Sequence, residues 1–212
     1  LNTIYFKDEW MDRFERRQTK PDAFYVSAQQ TVQCDYMNRA YAMHPYTRGE
    51  GFTRSALSLK NGGRMVFILP DQGVSVDTLL ASPQKAASLF LGVDQGTGKV
   101  VFQIPKFSFG SKLNLKKTLH AMGVRCAFES DQADFSGMTQ DQAFFSQILQ
   151  ETHIAIDEKG VEAAAFTKLD YAGTAAPNEK EAYMILNRPF LYGIVSDGVL
   201  LFAGVCNQPA ES

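Results

Sequence analysis

Three histidines (His44, His120, His153) and three cysteines (Cys34, Cys126, Cys206) are the side chains best suited to metal binding or nucleophilic catalysis, and their spacing argues for neither. The histidines form no ligand pair, and the cysteines form no CxxC or zinc pattern. Buried free thiols and plain structural or surface histidines are the expectation. Gly96-Thr97-Gly98-Lys99 looks like a phosphate loop, but Val93 and Val100 stand where the motif needs Gly and Ser/Thr. A turn between strands explains it better. Ser136 in Asp134-Phe135-Ser136-Gly137 lacks the first glycine of a nucleophile elbow. No carboxylate pair suggests acid–base work. The sequence predicts no enzyme, no metal and no cofactor.

The chemistry that remains belongs to the backbone. From Val161 the alternate positions are Val161, Ala163, Ala165, Thr167, Leu169, Tyr171 and Gly173, small or apolar; between them fall Glu162, Ala164, Phe166, Lys168, Asp170 and Ala172. Period-two alternation marks a half-buried strand. Yet alanine is a poor strand former, three stand in a row, and Gly160 and a Gly173-Thr174-Ala175-Ala176-Pro177 cluster bound the run. The pattern describes a segment able to be a loop in one state and a sheet strand in another.

The surrounding elements must position that segment. Residues 1–10 form a strand candidate, with further extended segments at 24–26 and 31–34 and an irregular stretch at 38–52. Ser55–Leu59, Asn61-Gly62-Gly63 and Arg64–Leu69 predict a hairpin. Residues 75–91 read as helical pieces, with Ser82-Pro83 as cap and first position. A turn at 94–99 leads to a strand over 100–107, and a helix over 113–122 stops at Gly123. His153–Asp157 alternates like a strand. Arg188–Val195 and Val199–Val205 close the chain as a hairpin turned at Ser196-Asp197-Gly198. The composition is that of a globular protein: 212 residues, 45% hydrophobic, 21% charged, sixteen Phe, net charge −2. Arg13, Arg16, Arg17 and Lys20 alternate with Asp12 and Glu15 and read as a solvated face rather than a nucleic-acid site. No apolar run reaches transmembrane length, so neither nucleic acid nor membrane is an expected partner. Leu1–Phe6 opens like the middle of a buried strand, which predicts further chain before it.

Several ordered motifs resemble the C-terminal part of a serpin, the serine-protease-inhibitor superfamily. They are Asn2–Lys7 with Trp10; Phe14 with Thr19; Phe67-Ile68-Leu69-Pro70; Ile104-Pro105-Lys106-Phe107; Leu119 with Met122-Gly123; Ala133–Gly137; Asp157–Gly160 with Glu162–Ala165; Asn187–Phe190; and Leu201–Val205. The resemblance covers essentially the whole chain. It implies an α+β fold of mixed sheets and surrounding helices, without the family's N-terminal helices and first strands, so that residues 1–212 are the C-terminal portion of one domain with its reactive loop at 158–178. The missing N-terminal portion is then a required partner.

The resemblance also implies a suicide-substrate mechanism, in which a serine protease cuts the loop and the loop inserts into the central sheet. The family's spacing from Gly160, and its spacing back from Leu186, both place the reactive bond at Thr174–Ala175. Small uncharged residues there imply an elastase-like or subtilisin-like target. The hinge and inserting limb would comprise Glu158, Gly160, Val161, Glu162, Ala163, Ala164, Ala165 and Thr167. Insertion would be controlled by Asn2, Trp10, Lys106 and Gln150, with Lys106 paired to Glu158 and Gln150 where many members carry a histidine. Secretion is the family-based expectation. A non-inhibitory carrier, chaperone or storage serpin is the alternative, disfavoured by a hinge free of proline from Gly160 to Ala165; inhibition of cysteine proteases is another.

Overall fold

A computed structural model describes residues 2–161 and 180–209. In chain order the elements are β1 (Asn2–Tyr5), β2 (Asp8–Glu9), β3 (Lys20–Tyr25), β4 (Thr31–Gly49), β5 (Phe52–Ser58), β6 (Arg64–Pro70), α1 (Val76–Leu79), α2 (Pro83–Leu91), β7 (Gly96–Pro105), β8 (Phe107–Asn114), α3 (Lys116–Ala121), β9 (Leu149–Ile156), β10 (Gly160–Val161), β11 (Glu181–Ile185), β12 (Phe190–Ser196) and β13 (Val199–Cys206). They fall into two compact units, Leu1–Phe6 with Phe109–Ile154, and Lys7–Ser108 with Ala155–Ser212. No described helix is long and apolar enough to cross a membrane.

In the first unit a three-stranded sheet has the order β1-β9-β8. β1 lies directly beside β9 in parallel, Asn2 opposite Gln150 and Tyr5 opposite His153. The helix expected over 113–122 begins later, because β8 runs to Asn114, whose Oδ1 then accepts the Lys116 N–H at 3.1 Å and turns the chain. Its end is as expected: Gly123 has φ +94 and donates to His120 O at 3.0 Å, the left-handed stop that glycine adopts without strain.

The second unit is built on a sheet of order β11-β7-β4-β5-β6-β12-β13, with β3 also paired to β4. The stretch expected to be irregular at 38–52 is mostly strand. β4 spans Thr31–Gly49 and changes partner along its length, meeting β3 over Thr31–Tyr36, β7 over Tyr36–Tyr46 and β5 over Tyr46–Gly49. A register shift between Tyr41 and His44 breaks the alternation, and Pro45 sits just past it, where strands tolerate proline. Gly96–Lys99 is likewise strand rather than turn. A side chain at Gly98 would meet the Lys180 carbonyl, whose carbon lies 3.0 Å from the Cβ position; the glycine admits a crossing chain, and Lys99 N donates to Lys180 O at 3.0 Å.

The two predicted hairpins form. β5 and β6 join through Gly62 at φ +89, and β12 and β13 through Asp197 at φ 49 and Gly198 at φ 76, the left-handed pair that an Asp-Gly hairpin demands. Ser82 caps α2 by accepting from Lys85 N at 3.2 Å, with Pro83 at the first turn. α1 and α2 cover one face of the sheet, where Ile68, Leu79, Leu89, Phe90 and Leu191 pack together. Of the cysteines expected to be buried, only Cys206 is; Cys34 is half-buried and Cys126 exposed, and all three are free.

Candidate functional site at the loop hinge

β9 ends at Ile156, and the next four residues make a tight turn whose chemistry is local. Asp157 Oδ1 accepts from Lys159 N at 2.8 Å and from Gly160 N at 3.3 Å, an Asx turn. Asp157 and Gly160 also exchange backbone hydrogen bonds at 3.1 and 3.3 Å. Gly160 has φ +143, and a side chain there would strike the Glu9 backbone and come within 2.7 Å of Asp8 O and Trp10 N. Only glycine lets the turn close onto the chain below it. Beyond the turn β10 pairs antiparallel with β2, Gly160 opposite Glu9 and Val161 opposite Asp8.

Trp10 holds the underside of the turn. It is fully buried; its Nε1 donates to Asp157 O at 2.8 Å and its backbone N–H to Lys159 O at 3.2 Å. Its ring meets Phe14 edge-on at 6.0 Å between centroids and Phe67 at 6.4 Å, within the separations where aromatic pairs attract. The backbone N–H of Phe14 donates to Glu158 O at 2.9 Å. The indole N–H thus satisfies the Asp157 carbonyl while its ring stays in the core, and backbone N–H groups of Trp10 and Phe14 satisfy the carbonyls of Lys159 and Glu158.

Glu158 is a buried acid, with 6% of its side chain exposed. Oε1 accepts from Thr19 Oγ1 at 2.8 Å, and Oε2 lies 3.4 Å from Lys106 Nζ. Burial pushes this carboxyl up, but its own backbone N–H, the Thr19 hydroxyl and the Lys106 ammonium together outweigh burial, and the net direction is down. The charged form is the one the site is built to hold.

The structure therefore brings Trp10, Lys106, Glu158 and Gly160 into one cluster and sets Asn2 opposite Gln150 in the β1–β9 register. Val161 is placed by its backbone pairing to Asp8. Glu162, Ala163, Ala164, Ala165, Thr167, Thr174 and Ala175 lie outside the described residues. The sequence identifies Phe14 and Thr19 only as motif residues; it does not show their direct hinge contacts or the roles of Asp8 and Glu9. Arg13 is a correction: far from belonging to a solvated face, its side chain is 20% exposed, with Nη2 2.8 Å from Glu9 Oε2, because the strand end at Trp10 carries it against the protein. Arg16, Arg17 and Lys20 are exposed. His44 is structural, stacked on Tyr41 at 4.6 Å with Nε2 2.8 Å from Ala56 O.

A parallel pair of sheet strands, and after the second of them a glycine turn paired to β2 over the buried Trp10 and the Glu158–Lys106 pair, define a protein with an anchored loop hinge. Comparison with known proteins gives the family. The family model for serpins, serine protease inhibitors, matches residues 1–209, and the chain belongs to that family. It is 33% identical over 215 residues to an alpha-1-antitrypsin homolog of Cyprinus carpio, covering 100% of this chain and 56% of that protein. It is 28% identical to Serpin B13 of Homo sapiens, over 95% of this chain and 53% of the relative. Among solved structures it resembles Serpin48 of the insect Tenebrio molitor, with TM-score 0.81 and 27% identity over 98% of this chain and 55% of that one. It also resembles human thyroxine-binding globulin, with TM-score 0.80 and 25% identity over 99% and 56%. The chain spans about half the length of the relatives it matches. The fold is the α+β serpin fold, represented over part of its domain.

Proposed function

We propose that the protein containing this chain is an inhibitory serpin, a suicide substrate for a serine protease of elastase-like or subtilisin-like specificity, acting outside the cell. The supporting observation is the direct parallel pairing of β1 with β9, followed in the chain by a hinge held through side-chain contacts at Glu158 and Trp10. A strand inserted between β1 and β9 would replace that pairing with two new ladders. The sequence after Gly160 suits such a strand: Val161, Ala163, Ala165 and Thr167 would face one way without charge.

In the proposed reaction the protease serine oxygen attacks the Thr174 carbonyl carbon. The bond to Ala175 breaks, the Ala175 nitrogen leaves as an amine carrying a proton from the protease's general acid, and Thr174 stays esterified to the enzyme. Freed at that end, the limb from Val161 inserts. At roughly 0.5–1.5 kcal/mol net per backbone hydrogen bond, a strand of this length gains on the order of 10 kcal/mol, and apolar burial adds to it. The uncut form is then held by a kinetic barrier.

Thyroxine-binding globulin shares the fold, so a carrier role is the competing reading; a hinge segment free of proline, with Val161, Ala163 and Ala165 uncharged at alternate positions, favours inhibition. Two measurements test the proposal. Cleavage of the loop in the full-length protein raises the melting temperature by tens of degrees; an unchanged melt excludes insertion. Incubation with elastase yields a complex stable to SDS, whereas such a complex with trypsin alone overturns the assigned specificity.

A further inference from the structure

The two residues of β2 are zipped to different chain segments on their two sides. On one side they pair with Gly160 and Val161 of β10. On the other they meet the turn between β5 and β6: Lys60 N donates to Glu9 O at 2.9 Å, Met11 N to Ser58 O at 2.8 Å, and Trp10 bridges Leu59. Side chains reinforce this second seam. The buried Asp8 carboxylate accepts from Asn61 Nδ2 at 3.0 Å (Oδ1), from Asn61 N at 3.3 Å (Oδ2) and from Glu9 N at 2.7 Å (Oδ1). The Glu9 carboxylate holds both Arg13 Nη2, at 2.8 Å, and Lys60 Nζ.

Asp8 is the notable member. It is 5% exposed, and its carboxylate accepts from three neutral N–H donors, two of them from Asn61. A buried carboxylate persists only where donors meet it. The Asn61 side chain therefore helps fix the position of Asp8, and Asp8 stands opposite Val161, the first residue of the limb that would insert.

We infer that Asp8–Glu9 is a docking strand for the hinge, and that Asn61 and Lys60, on a turn remote in sequence from the loop, act as positioning residues that set how readily the hinge lets go. This rests on the inhibitory reading for its consequence, since release of Val161 would be the first step of insertion. The docking itself does not depend on that reading. The anchor is distinct from the Lys106–Glu158 pair, because it grips the strand beneath the hinge rather than the hinge's own acid. Loosening either should raise the fraction of time in which Gly160 and Val161 are undocked.

The test is amide hydrogen exchange on the full-length uncut protein, with no protease present. In Asn61→Ala the backbone N–H of residue 61 remains and only the Nδ2 donor is lost. Exchange across residues 158–161 is expected to rise about tenfold, the consequence of losing one hydrogen bond to a charged acceptor, while the β12–β13 hairpin exchanges as before. Lys60→Gln, which keeps the backbone bond to Glu9 O, is expected to give a smaller increase at the same residues. The exchanged pair, Asp8→Asn with Asn61→Asp, puts the carboxylate on the turn and the amide on the strand, and is expected to recover most of the protection. Unchanged exchange at 158–161 in Asn61→Ala overturns the inference. So does an equal rise throughout the unit, or failure of the exchanged pair to recover protection, since each would mean that Asn61 supports the fold at large. A nicked protein that melts no higher than the uncut one would refute inhibition while leaving this result standing.

Discussion

Replacing Lys106 with alanine removes the cation paired with Glu158 at the hinge, and the structure bounds the consequence. The Glu158 side chain is 6% exposed and that of Lys106 is 25% exposed, with 3.4 Å between Nζ and Oε2. Stripping the partner from a fully buried ion pair costs about 3–5 kcal/mol, and from an exposed one about 0–1 kcal/mol. This pair lies between: the separation is longer than a charge-assisted hydrogen bond, the ammonium is partly hydrated, and Thr19 Oγ1 still donates to the carboxylate at 2.8 Å. We therefore assign about 1–2 kcal/mol to the loss. If the docked hinge bears that cost and the undocked one does not, spontaneous insertion of the uncut loop accelerates roughly five- to thirtyfold. The molecule supplies its own probe. Trp10 is the single tryptophan of these 212 residues, it is buried, and its Nε1 donates to Asp157 O in the turn that would move on insertion. Its emission, followed at constant temperature below the melt, reports release of the hinge. Glu158→Gln should accelerate the change to a similar degree, and the double variant should add little, because both changes disable one interaction. A Lys106→Ala rate within twofold of the parent would refute the reasoning, as would strict additivity of the two changes.

Two further outcomes follow from the same geometry. Gly160→Ala forces a side chain into the Glu9 backbone at φ +143; β10 should leave β2 at a cost of about 1–3 kcal/mol, read as a melting temperature lower by several degrees, and an unchanged melt would show that the turn relaxes freely. The hinge should also respond to acid. The folded Glu158 carboxyl lies below its ordinary value of 4.5, so its contribution is fully present above that pH and is lost as the pH falls below it through the lowered folded value. Trp10 emission in the parent should begin to change in that window, the effect being absent in Glu158→Gln; an acid response of equal size in that variant would assign it to another group.

What the sequence made legible was chemistry satisfied within a few residues. The Asp157–Gly160 turn needs an Asx acceptor and a glycine, and both are visible as letters. The same holds for Asp197-Gly198 at the β12–β13 turn, for Ser82-Pro83 ahead of α2, and for Gly123 after α3. What stayed hidden was chemistry whose partner arrives from far along the chain. Gly96–Lys99 has the letters of a turn, yet Gly98 is small because the Lys180 carbonyl crosses it. β4 gave no clean alternation because it serves three partners in succession and bulges on the way. Arg13 reads as surface until Glu9 is seen to hold it, and Asp8 reads as the polar end of a strand until Asn61 is found beneath it. The hinge divides along the same line. Its turn is written locally, so the family resemblance found it at once. Its hold on the protein runs through Trp10, Thr19, Lys106 and the β5–β6 turn, all distant in sequence. Under the proposed inhibitory reading that division is required: residues that insert must suit both states, so the restraint on them has to come from residues that stay behind.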